Sequence, residues 1–269
     1  DLSLQSISVF AVHWLRMSVH IAIPEPTSID TEYNQRSLPP YLAALHAAGA
    51  TPIVVPLHER PDRVAKVLAT TYGILLPGSR FDVDPERFGE ARAPACGPSD
   101  PSRTAVDELL LQDAFNLHKP ILAICHGVQT LNVWCNGTLI QDLPSSRGET
   151  VNHSPGRQIV EAHPVSISSG SRLAQLAHGE PQSVNSSHHQ AIGRVGDNLR
   201  VTAVSPVDQV VEAVELDNSG HFVVGVQWHP ERTWIESSLS RALFAAFVHA
   251  AEAWQPRFAE EITNLAVKL

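Results

Sequence analysis

Short apolar runs alternate with helical patterns through the first half of the chain. The runs are rich in valine, isoleucine and leucine, and they predict strands at residues 18–23, 51–56, 72–76 and 121–124. Segments whose apolar residues recur at helical spacing lie between them, at residues 40–48, 62–69 and 104–117. This alternation predicts right-handed βαβ units and a mostly parallel sheet that helices cover on both faces.

The second half of the chain is richer in strands and closes with an amphipathic helix. Strands are predicted at residues 158–167, 199–204, 209–216 and 221–228, a hairpin turn at 217–220, and the helix at 238–254. The segment 82–103 is rich in proline, glycine and alanine and is predicted to be a loop near the functional site. The predicted fold class is α/β, with a mostly parallel central sheet flanked by helices and with added antiparallel strands in the C-terminal half.

One domain is expected, because the sequence has no internal repeat and no long linker. We place this domain at residues 18–258. Met17 is the single methionine and directly precedes the first predicted strand, so residues 1–17 are interpreted as an N-terminal extension. Residues 259–269 are expected to be a C-terminal tail.

Composition excludes several classes of partner. The net charge is −9 and no cluster of lysine and arginine occurs, whereas binding to nucleic acid needs such clusters. No stretch approaches the ~20 apolar residues that span a bilayer, and residues 1–17 lack the basic start of a secretory signal. Three cysteines make a poor disulfide framework and fit a reducing compartment. We therefore expect a cytoplasmic protein that acts on a small molecule, without nucleic acid or membrane.

Cys125 stands between a predicted strand and a predicted helix, in the run PILAICHGVQTLNV (120–133). This is the pattern of a nucleophile elbow, which presents a side chain at the carboxyl edge of the sheet. The helix N-terminus directs N–H groups and positive dipole toward the sulfur, so we expect thiolate to be favoured over thiol. Gly127 permits close backbone approach at the turn. A buried structural cysteine is an alternative that this run leaves open, whereas Cys96 and Cys135 lack such a setting.

The run GVQWHPE (225–231) supplies a base and an acid close together. A cysteine nucleophile needs a proton-transfer partner, and that partner needs a third group that fixes its tautomer. His229 follows a predicted strand, and after the turn at Pro230 the side chain of Glu231 can return toward the imidazole. A histidine beside an acid is more often a surface pair, so this run by itself is a weak signal.

Several runs in fixed order together resemble the class I glutamine amidotransferase-like superfamily. They are LPPYLAALHAAGATPIVVPL (38–57), GILLPGSRFDVDP (73–85), PILAICHGVQTLNV (120–133), NGTLIQDLP (136–144), VNSSHHQAI (184–192), VVEAVE (210–215) and GVQWHPE (225–231). More narrowly, the chain is similar to the γ-glutamyl-γ-aminobutyrate hydrolase branch of the C26 peptidases, because GTLIQDLP and NSSHHQ favour that branch over biosynthetic amidotransferases. The resemblance covers about residues 18–250.

This resemblance implies a flavodoxin-like class I glutamine amidotransferase fold and a hydrolase with a Cys-His-Glu triad. Such an enzyme cleaves γ-glutamyl amides through a γ-glutamyl thioester to give glutamate and free amine, as in polyamine catabolism. It implies Cys125 as nucleophile, His229 as general base and then acid, and Glu231 as its orienting group. The oxyanion hole and substrate-binding positions that it implies are Gly78, Ser79, His126, Gln129 and His188.

The chain departs from the family pattern near the expected site. Ser79 stands where a second glycine is usual, His126 where an arginine usually follows the nucleophile, and Asn136 where the first glycine of GGTL is usual. A backbone N–H donor survives the change to Ser79 where φ permits. The loss of the arginine removes a basic group beside the sulfur, and it bears on substrate preference more than on the reaction.

Fourteen histidines raise the question of a metal site. The candidates are the adjacent His188 and His189, with His153, His163 and His178 nearby in sequence. Adjacent strand residues point to opposite faces, and no CxxC or HExxH spacing occurs. We therefore expect no metal and no cofactor.

Two other functions share these motifs. The first is a glutaminase subunit that delivers ammonia to a partner synthetase, and the second is a catalytically silent binding protein on the same fold. A stand-alone hydrolase would turn over γ-glutamyl amides without any partner. The sequence does not determine the leaving amine or the oligomeric state, and a homodimer is compatible with it.

Overall fold

The computed structural model describes residues 19–148, 150–217 and 220–255. The predicted extension at 1–17, the predicted tail at 259–269 and the centre of the predicted turn at 217–220 lie outside these ranges. Within them, no helix is both long and apolar enough to cross a bilayer.

The secondary structure alternates as the sequence pattern predicts. The strands are β1 Val19–Pro24, β2 Ala50–Val55, β3 Gly73–Leu76, β4 Ile121–Ile124, β5 Leu139–Ile140, β6 His163–Ile167, β7 Gln182–Val184, β8 Ala191–Ile192, β9 Leu199–Val204, β10 Val211–Leu216 and β11 Val223–Val226. The helices are α1 Thr31–Ala47, α2 Pro61–Leu68, α3 Pro101–Leu117, α4 His126–Trp134, α5 Leu143–Arg147, α6 Arg172–Ala177 and α7 Ser238–Ala253.

The strands form a mixed sheet in the order β2-β1-β3-β4-β11-β10-β9-β6-β7, with β5 and β8 paired beside β10. The pairs within β2-β1-β3-β4-β11 are parallel. From β11 onward the neighbours along this path are antiparallel. The α/β fold class, with antiparallel strands added by the C-terminal half, is confirmed.

Helices cover both faces of the parallel strands. Helices α1, α6 and α7 pack on one face, and α2, α3 and α4 pack on the other. The side chains of β4 alternate accordingly, since Leu122 and Ile124 join the first layer while Ile121 and Ala123 join the second. All four are fully buried. Strands that are covered on both faces are apolar throughout, and this is the signal that their sequences carry.

Helix α1 begins at Thr31, well before the start that was predicted at residue 40. The side chain of Asp30 caps it by accepting a hydrogen bond from the Tyr33 N–H at 2.9 Å. Two prolines, residues 39 and 40, lie inside the helix. The carbonyls that lose their helical partners to these prolines belong to exposed residues, Gln35 and Arg36, so the interruption is tolerated.

The strand predicted at 158–167 is wrong over its first half, because β6 begins only at His163. Ile159 and Val160 are exposed and bury no face against the sheet. The loop predicted at 82–103 contains a 3₁₀ turn at Pro85–Phe88, and α3 starts within it at Pro101. The short elements β5, β7, β8, α5 and α6 were not predicted.

Helix α4 lies unusually close to the sheet. An added Cβ on Gly127 would lie 2.2 Å from the carbonyl oxygen of Leu76 in β3. On the other side, a Cβ on Gly225 in β11 would lie 2.3 Å from Val128 of the same helix. Glycine at both positions therefore sets the distance between α4 and the strands, and with it the position of the turn before the helix.

We expect Gly127→Ala to destabilise the fold by about 1–3 kcal/mol, because α4 must move away from the Leu76 carbonyl. In a solvent-exposed helix the same change stabilises by about 1 kcal/mol, so the sign of the change in unfolding free energy shows whether α4 packs this closely on the sheet. Urea unfolding followed by circular dichroism measures it. Gly49→Ala serves as a comparison. No atom lies within 4 Å of that position, so the variant shows the cost of placing alanine at a positive φ (94°) without any steric clash. A Gly127→Ala variant as stable as the parent chain would contradict this packing.

Candidate active site

Cys125 occupies a strained turn at the carboxyl edge of the sheet. It lies between β4 and α4 with φ 53° and ψ −111°, a conformation that non-glycine residues rarely adopt. Its N–H donates to the carbonyl of Val226 at 2.8 Å, which ties the turn to the end of β11. Strain of this kind persists only where surrounding packing enforces it, and it is typical of functional sites. The turn has the geometry of a nucleophile elbow.

The loops that follow β3 and β11 meet the elbow at the same edge. Gly78, in the loop after β3, lies beside both Cys125 and His229. A Cβ added to Gly78 would lie 3.5 Å from Cys125 Cβ and 3.0 Å from His229 Cε1. The same point lies 3.0 Å from the Tyr41 hydroxyl of α1. Cys125, His229 and Tyr41 therefore flank one small space, and a side chain at Gly78 would fill it.

His229 is fixed on two sides. Its Nδ1 atom lies 2.8 Å from Glu231 Oε1. Asn185 clamps its backbone, accepting from the His229 N–H at 2.9 Å and donating to the His229 carbonyl at 2.8 Å. The buried Nε2 atom has no hydrogen-bond partner among the described residues. With the Nδ1 proton directed at Glu231, Nε2 presents a lone pair that can accept a proton.

Burial determines the charge of the Cys125 thiol and of the His229 imidazole. Burial raises the pKa of the Cys125 thiol to about 12, although Arg232 and the backbone N–H of His126 act in the opposite direction. Burial also lowers the pKa of His229, against the influence of Glu231. The resting site at neutral pH therefore holds a thiol and a neutral imidazole. The expectation of a resting thiolate is corrected, because desolvation of the sulfur outweighs the helix N-terminus.

Glu231 stays ionised despite its burial. Burial raises its pKa, but the His229 ring and the hydrogen bond to it lower the pKa by more, so the net shift is downward. Arg232 Nε lies 3.4 Å from Glu231 Oε1 and adds to this effect. An ionised carboxylate behind Nδ1 stabilises the imidazolium that forms when Nε2 takes a proton.

The residues that the family resemblance implied for the oxyanion hole border this space. The Gly78 N–H donates to the Tyr41 hydroxyl at 3.0 Å and is engaged in this structure. The Ser79 hydroxyl accepts from the Phe81 N–H at 3.1 Å, which turns that side chain into its own loop. The backbone N–H of His126 hydrogen-bonds the Cys125 sulfur.

Buried Arg103 holds the loop that carries Gly78. Its guanidinium donates to the carbonyls of Pro77 at 2.7 Å and Pro26 at 3.0 Å, and it pairs with Asp107 at 2.7 Å. The ring of His126 lies in the same region. Its pKa is lowered to about 3 by burial and by Arg103, so this ring is neutral.

Gln129 and His188 are both buried and are held by contacts to residues other than Cys125. The amide nitrogen of Gln129 donates to the Gln190 carbonyl at 3.0 Å and lies 3.3 Å from Gln227 Oε1. His188 is buried, and its ring faces Glu212 with an Nε2–Oε1 distance of 3.7 Å. Neither side chain is directed at Cys125 by these contacts.

The two adjacent histidines point apart, as expected of neighbouring strand-like residues. His189 pairs with Asp82 at 2.9 Å and with Asp142 at 3.1 Å, which joins the loop after β3 to the start of α5. His188 instead joins His153, His163 and Glu212 in a buried group. The sequence analysis names three of these members, His153, His163 and His188, as metal candidates and expects no metal. Their convergence with Glu212 was not predicted, because the four come from separate segments without a recognisable spacing.

Three further residues that shape the site were also missed. Tyr41, Arg103 and Asn185 act on the site through hydrogen bonds to the Gly78 N–H, the Pro77 carbonyl and the His229 backbone. Tyr41 and Asn185 lie in runs that carried the family resemblance, LPPYLAAL and VNSSHHQ, so their positions offered a signal. Arg103 offered none, because it ends the predicted loop 82–103, where a charged residue is expected to be exposed.

Comparison with known proteins identifies the family of the chain. The family model of peptidase C26 matches residues 22–231. The "Putative glutamine amidotransferase Rv2859c" of Mycobacterium tuberculosis is 39% identical over 207 residues, which make up 77% of this chain and 66% of that protein. The γ-glutamyl-γ-aminobutyrate hydrolase PuuD of Escherichia coli (strain K12) is 35% identical over 223 residues, covering 79% of this chain and 85% of PuuD.

The fold has a solved counterpart. A "putative gmp synthase subunit a protein" from Thermoplasma acidophilum superimposes with a TM-score of 0.58 at 15% identity, covering 92% of this chain and 98% of that one. This likeness shows the fold, while the sequence matches carry the family. The chain belongs to the glutamine amidotransferase-like peptidase C26 family.

Proposed function

We propose that this protein is a cysteine hydrolase of γ-glutamyl amide bonds, in which Cys125, His229 and Glu231 form the catalytic triad. One observation carries the proposal. A strained, buried cysteine flanks Gly78 together with a histidine whose Nδ1 is held by Glu231 and whose Nε2 has no partner. The family match and the similarity to γ-glutamyl-γ-aminobutyrate hydrolases support the γ-glutamyl substrate class.

The proposed reaction begins from the neutral pair. As the Cys125 sulfur attacks the γ-carbonyl carbon, its proton passes to His229 Nε2, and the carbonyl oxygen takes up the negative charge. The tetrahedral intermediate then expels the amine, which leaves with the proton from His229. A γ-glutamyl thioester remains on Cys125. His229 next removes a proton from water, whose attack releases glutamate and restores the thiol.

Backbone N–H groups of Ser79 and His126 are proposed as the oxyanion donors. A donor aimed at charge that develops only in the transition state is worth ~3 kcal/mol. Gly78 leaves the space that the reacting carbonyl needs, since any side chain there would meet His229 and Tyr41. Gln129 and His188 are proposed to support the wall of the substrate cleft through their hydrogen bonds to the Gln190 carbonyl, without contacting the substrate.

The leaving group is proposed to be γ-aminobutyrate or a related amine. The support is that relatives at 35–36% identity are named γ-glutamyl-γ-aminobutyrate hydrolases. His126 supplies no positive charge beside the sulfur, because its ring is neutral. We therefore expect a substrate preference that differs from that of relatives with arginine at this position.

A glutaminase subunit is the second candidate, supported by the 39% identity to a protein named putative glutamine amidotransferase. It would use the same triad but would release ammonia from glutamine and pass it to a synthetase. The two candidates differ in whether turnover needs a partner and in which amine leaves.

The purified chain alone should release amine from at least one γ-glutamyl amine. The panel is γ-glutamyl-γ-aminobutyrate, γ-glutamyl polyamines, γ-glutamyl folates and glutamine, with released amine and ammonia both measured. We expect kcat/KM for the best γ-glutamyl amine to exceed that for glutamine by tenfold or more. Cys125→Ala should lower turnover by at least about 10³-fold, since it removes the nucleophile. Cys96→Ala is the matched control and should stay near the parent rate.

Two results would count against the hydrolase. Ammonia release from glutamine that appears only with an added synthetase would favour the glutaminase subunit. A folded chain that turns over none of these substrates would favour a silent binding protein. A Cys125→Ala variant with the parent rate would remove the proposed nucleophile altogether.

The proposed neutral pair has its own spectroscopic test. A thiolate absorbs in the ultraviolet and a thiol does not, so the difference between the parent chain and Cys125→Ser reports the ionisation of this cysteine alone. We expect no thiolate band in that difference at pH 7, because burial holds the pKa of Cys125 near 12. A band that titrates in at acidic or neutral pH would instead indicate a preformed thiolate–imidazolium pair.

A further inference from the structure

Three histidines and one glutamate form a buried group beneath the site. His153 precedes β6, His163 begins β6, His188 lies between β7 and β8, and Glu212 belongs to β10. Each is at most 6% exposed. One atom of each residue lies within 4.8 Å of the corresponding atoms of the others. We call these four residues the His₃Glu cluster.

Each histidine of the cluster is held from behind by an acceptor. His163 Nδ1 lies 3.1 Å from the Pro164 carbonyl, and His188 Nδ1 lies 3.0 Å from the Gln190 carbonyl. A carbonyl oxygen only accepts, so these nitrogens carry the ring proton and leave a lone pair on Nε2. His153 is oriented in the same way by Asp208, which lies 2.9 Å from its Nε2.

The lone pairs that result all face the same carboxylate. Glu212 Oε1 lies 3.3 Å from His153 Nδ1, 3.5 Å from His163 Nε2 and 3.7 Å from His188 Nε2. None of these three contacts has the geometry of a full hydrogen bond. They are close enough to act on the carboxylate: burial raises the pKa of Glu212, but His153, His188 and His163 lower it by more, to about 2, so Glu212 is ionised. A buried carboxylate is costly unless a cation lies beside it. Burial lowers the pKa of His153, but Glu212 and Asp208 raise it by more, so a proton on this ring offsets part of that charge and a metal ion would take its place.

We propose that the His₃Glu cluster binds one divalent transition-metal ion of the zinc class. Three imidazoles and one carboxylate are a ligand set that zinc takes in tetrahedral sites. With metal–ligand bonds of about 2.0–2.1 Å, neighbouring ligand atoms of a tetrahedron stand about 3.3 Å apart. The three separations from Glu212 Oε1, 3.3 to 3.7 Å, are close to that edge length. The separations among the three histidine nitrogens are at most 4.8 Å, so the rings would have to close in by up to about 1.5 Å around an ion.

The second shell of the cluster matches that of known metal sites. A ligating histidine almost always donates its other N–H to a carbonyl or a carboxylate, which fixes the tautomer and raises the basicity of the ligating nitrogen. All three histidines have such an acceptor. Two carboxylates, Glu212 directly and Asp208 behind His153, supply negative charge for the cation.

The bound ion would act as a structural support for the active site. All four coordination positions come from the chain, which is typical of a closed structural site and leaves no position for a substrate. The segment that contributes His188 also contributes Asn185, which clamps the backbone of His229. The His188 N–H donates to the His153 carbonyl at 2.9 Å, so an ion would lock both cluster loops together.

Zinc binding by the chelator-treated full chain tests the proposal. We expect about one equivalent of zinc per chain by elemental analysis, and a Tm rise of about 5–10 °C at a zinc concentration a hundredfold above Kd. Cobalt(II) in the same site should give the intense visible bands of tetrahedral coordination. Cys125→Ala should bind zinc equally well, which distinguishes the cluster from an ion held by the catalytic thiol.

Paired variants locate the ion. His163→Gln and Glu212→Gln should each weaken zinc binding by tenfold or more, with folding checked by circular dichroism. The matched control is His189→Asn, which changes the neighbour of His188 whose ring points toward Asp82. Its zinc affinity should stay within about twofold of the parent chain. The measurements on the parent chain decide the question even if a cluster variant fails to fold.

Three outcomes would overturn the proposal. The first is a parent chain that takes up no zinc and whose Tm responds to neither chelator nor added zinc; protons alone would then hold the cluster. The second is retention of full affinity in both His163→Gln and Glu212→Gln. The third is loss of binding in Cys125→Ala or His189→Asn with binding kept in the cluster variants, which would move the ion elsewhere.

Discussion

The close approach of α4 to the sheet is the constraint on which the rest of the site depends. Gly127 and Gly225 remove the side chains that would hold the helix away from β3 and β11. The short turn from β4 into α4 must then pass through a left-handed conformation, and Cys125 takes it at φ 53°. Packing of the flanking apolar layers maintains this strain, which an isolated turn would relax. The sulfur is thereby presented at the edge where the loops after β3 and β11 also arrive.

Burial at that edge sets the protonation states of Cys125 and His229. A sulfur that is shielded from water is held as a thiol, and a shielded imidazole is held neutral, so the pair stores no charge before substrate arrives. In the proposed reaction, charge develops only during attack on the substrate, next to the ionised Glu231 and the backbone N–H groups proposed as oxyanion donors. The side chains of Tyr41, Arg103 and Asn185 fix this arrangement mainly by hydrogen-bonding backbone atoms of Gly78, Pro77 and His229, and the Tyr41 hydroxyl also lies 3.5 Å from His229 Nδ1. These contacts orient the loop that carries Gly78 and the backbone of His229. The site therefore depends on these three residues as well as on Cys125, His229 and Glu231.

The sequence predicts the parts of this structure that depend on local pattern. Strand β4 is buried on both faces and apolar throughout, and it has the predicted bounds, Ile121–Ile124. The partly exposed strand β9 also has its predicted bounds, Leu199–Val204. Prediction from the sequence fails where contacts between distant segments determine the structure. Helix α1 runs through two prolines because the freed carbonyls reach solvent. Residues 158–162 stay outside the sheet although they include the β-branched Ile159 and Val160. The His₃Glu cluster joins segments that share no spacing, and burial reverses the ionisation expected of Cys125. These outcomes depend on packing that no local window contains.

The covalent intermediate tests the central claim most directly. The chain is mixed with a γ-glutamyl amide that it turns over, quenched in acid within one turnover, and digested for mass spectrometry. The account predicts one γ-glutamyl group on the peptide that contains Cys125, present as a thioester that hydroxylamine removes. Turnover with no adduct on any peptide, or with the adduct on the peptide of Cys96 or Cys135, would contradict it.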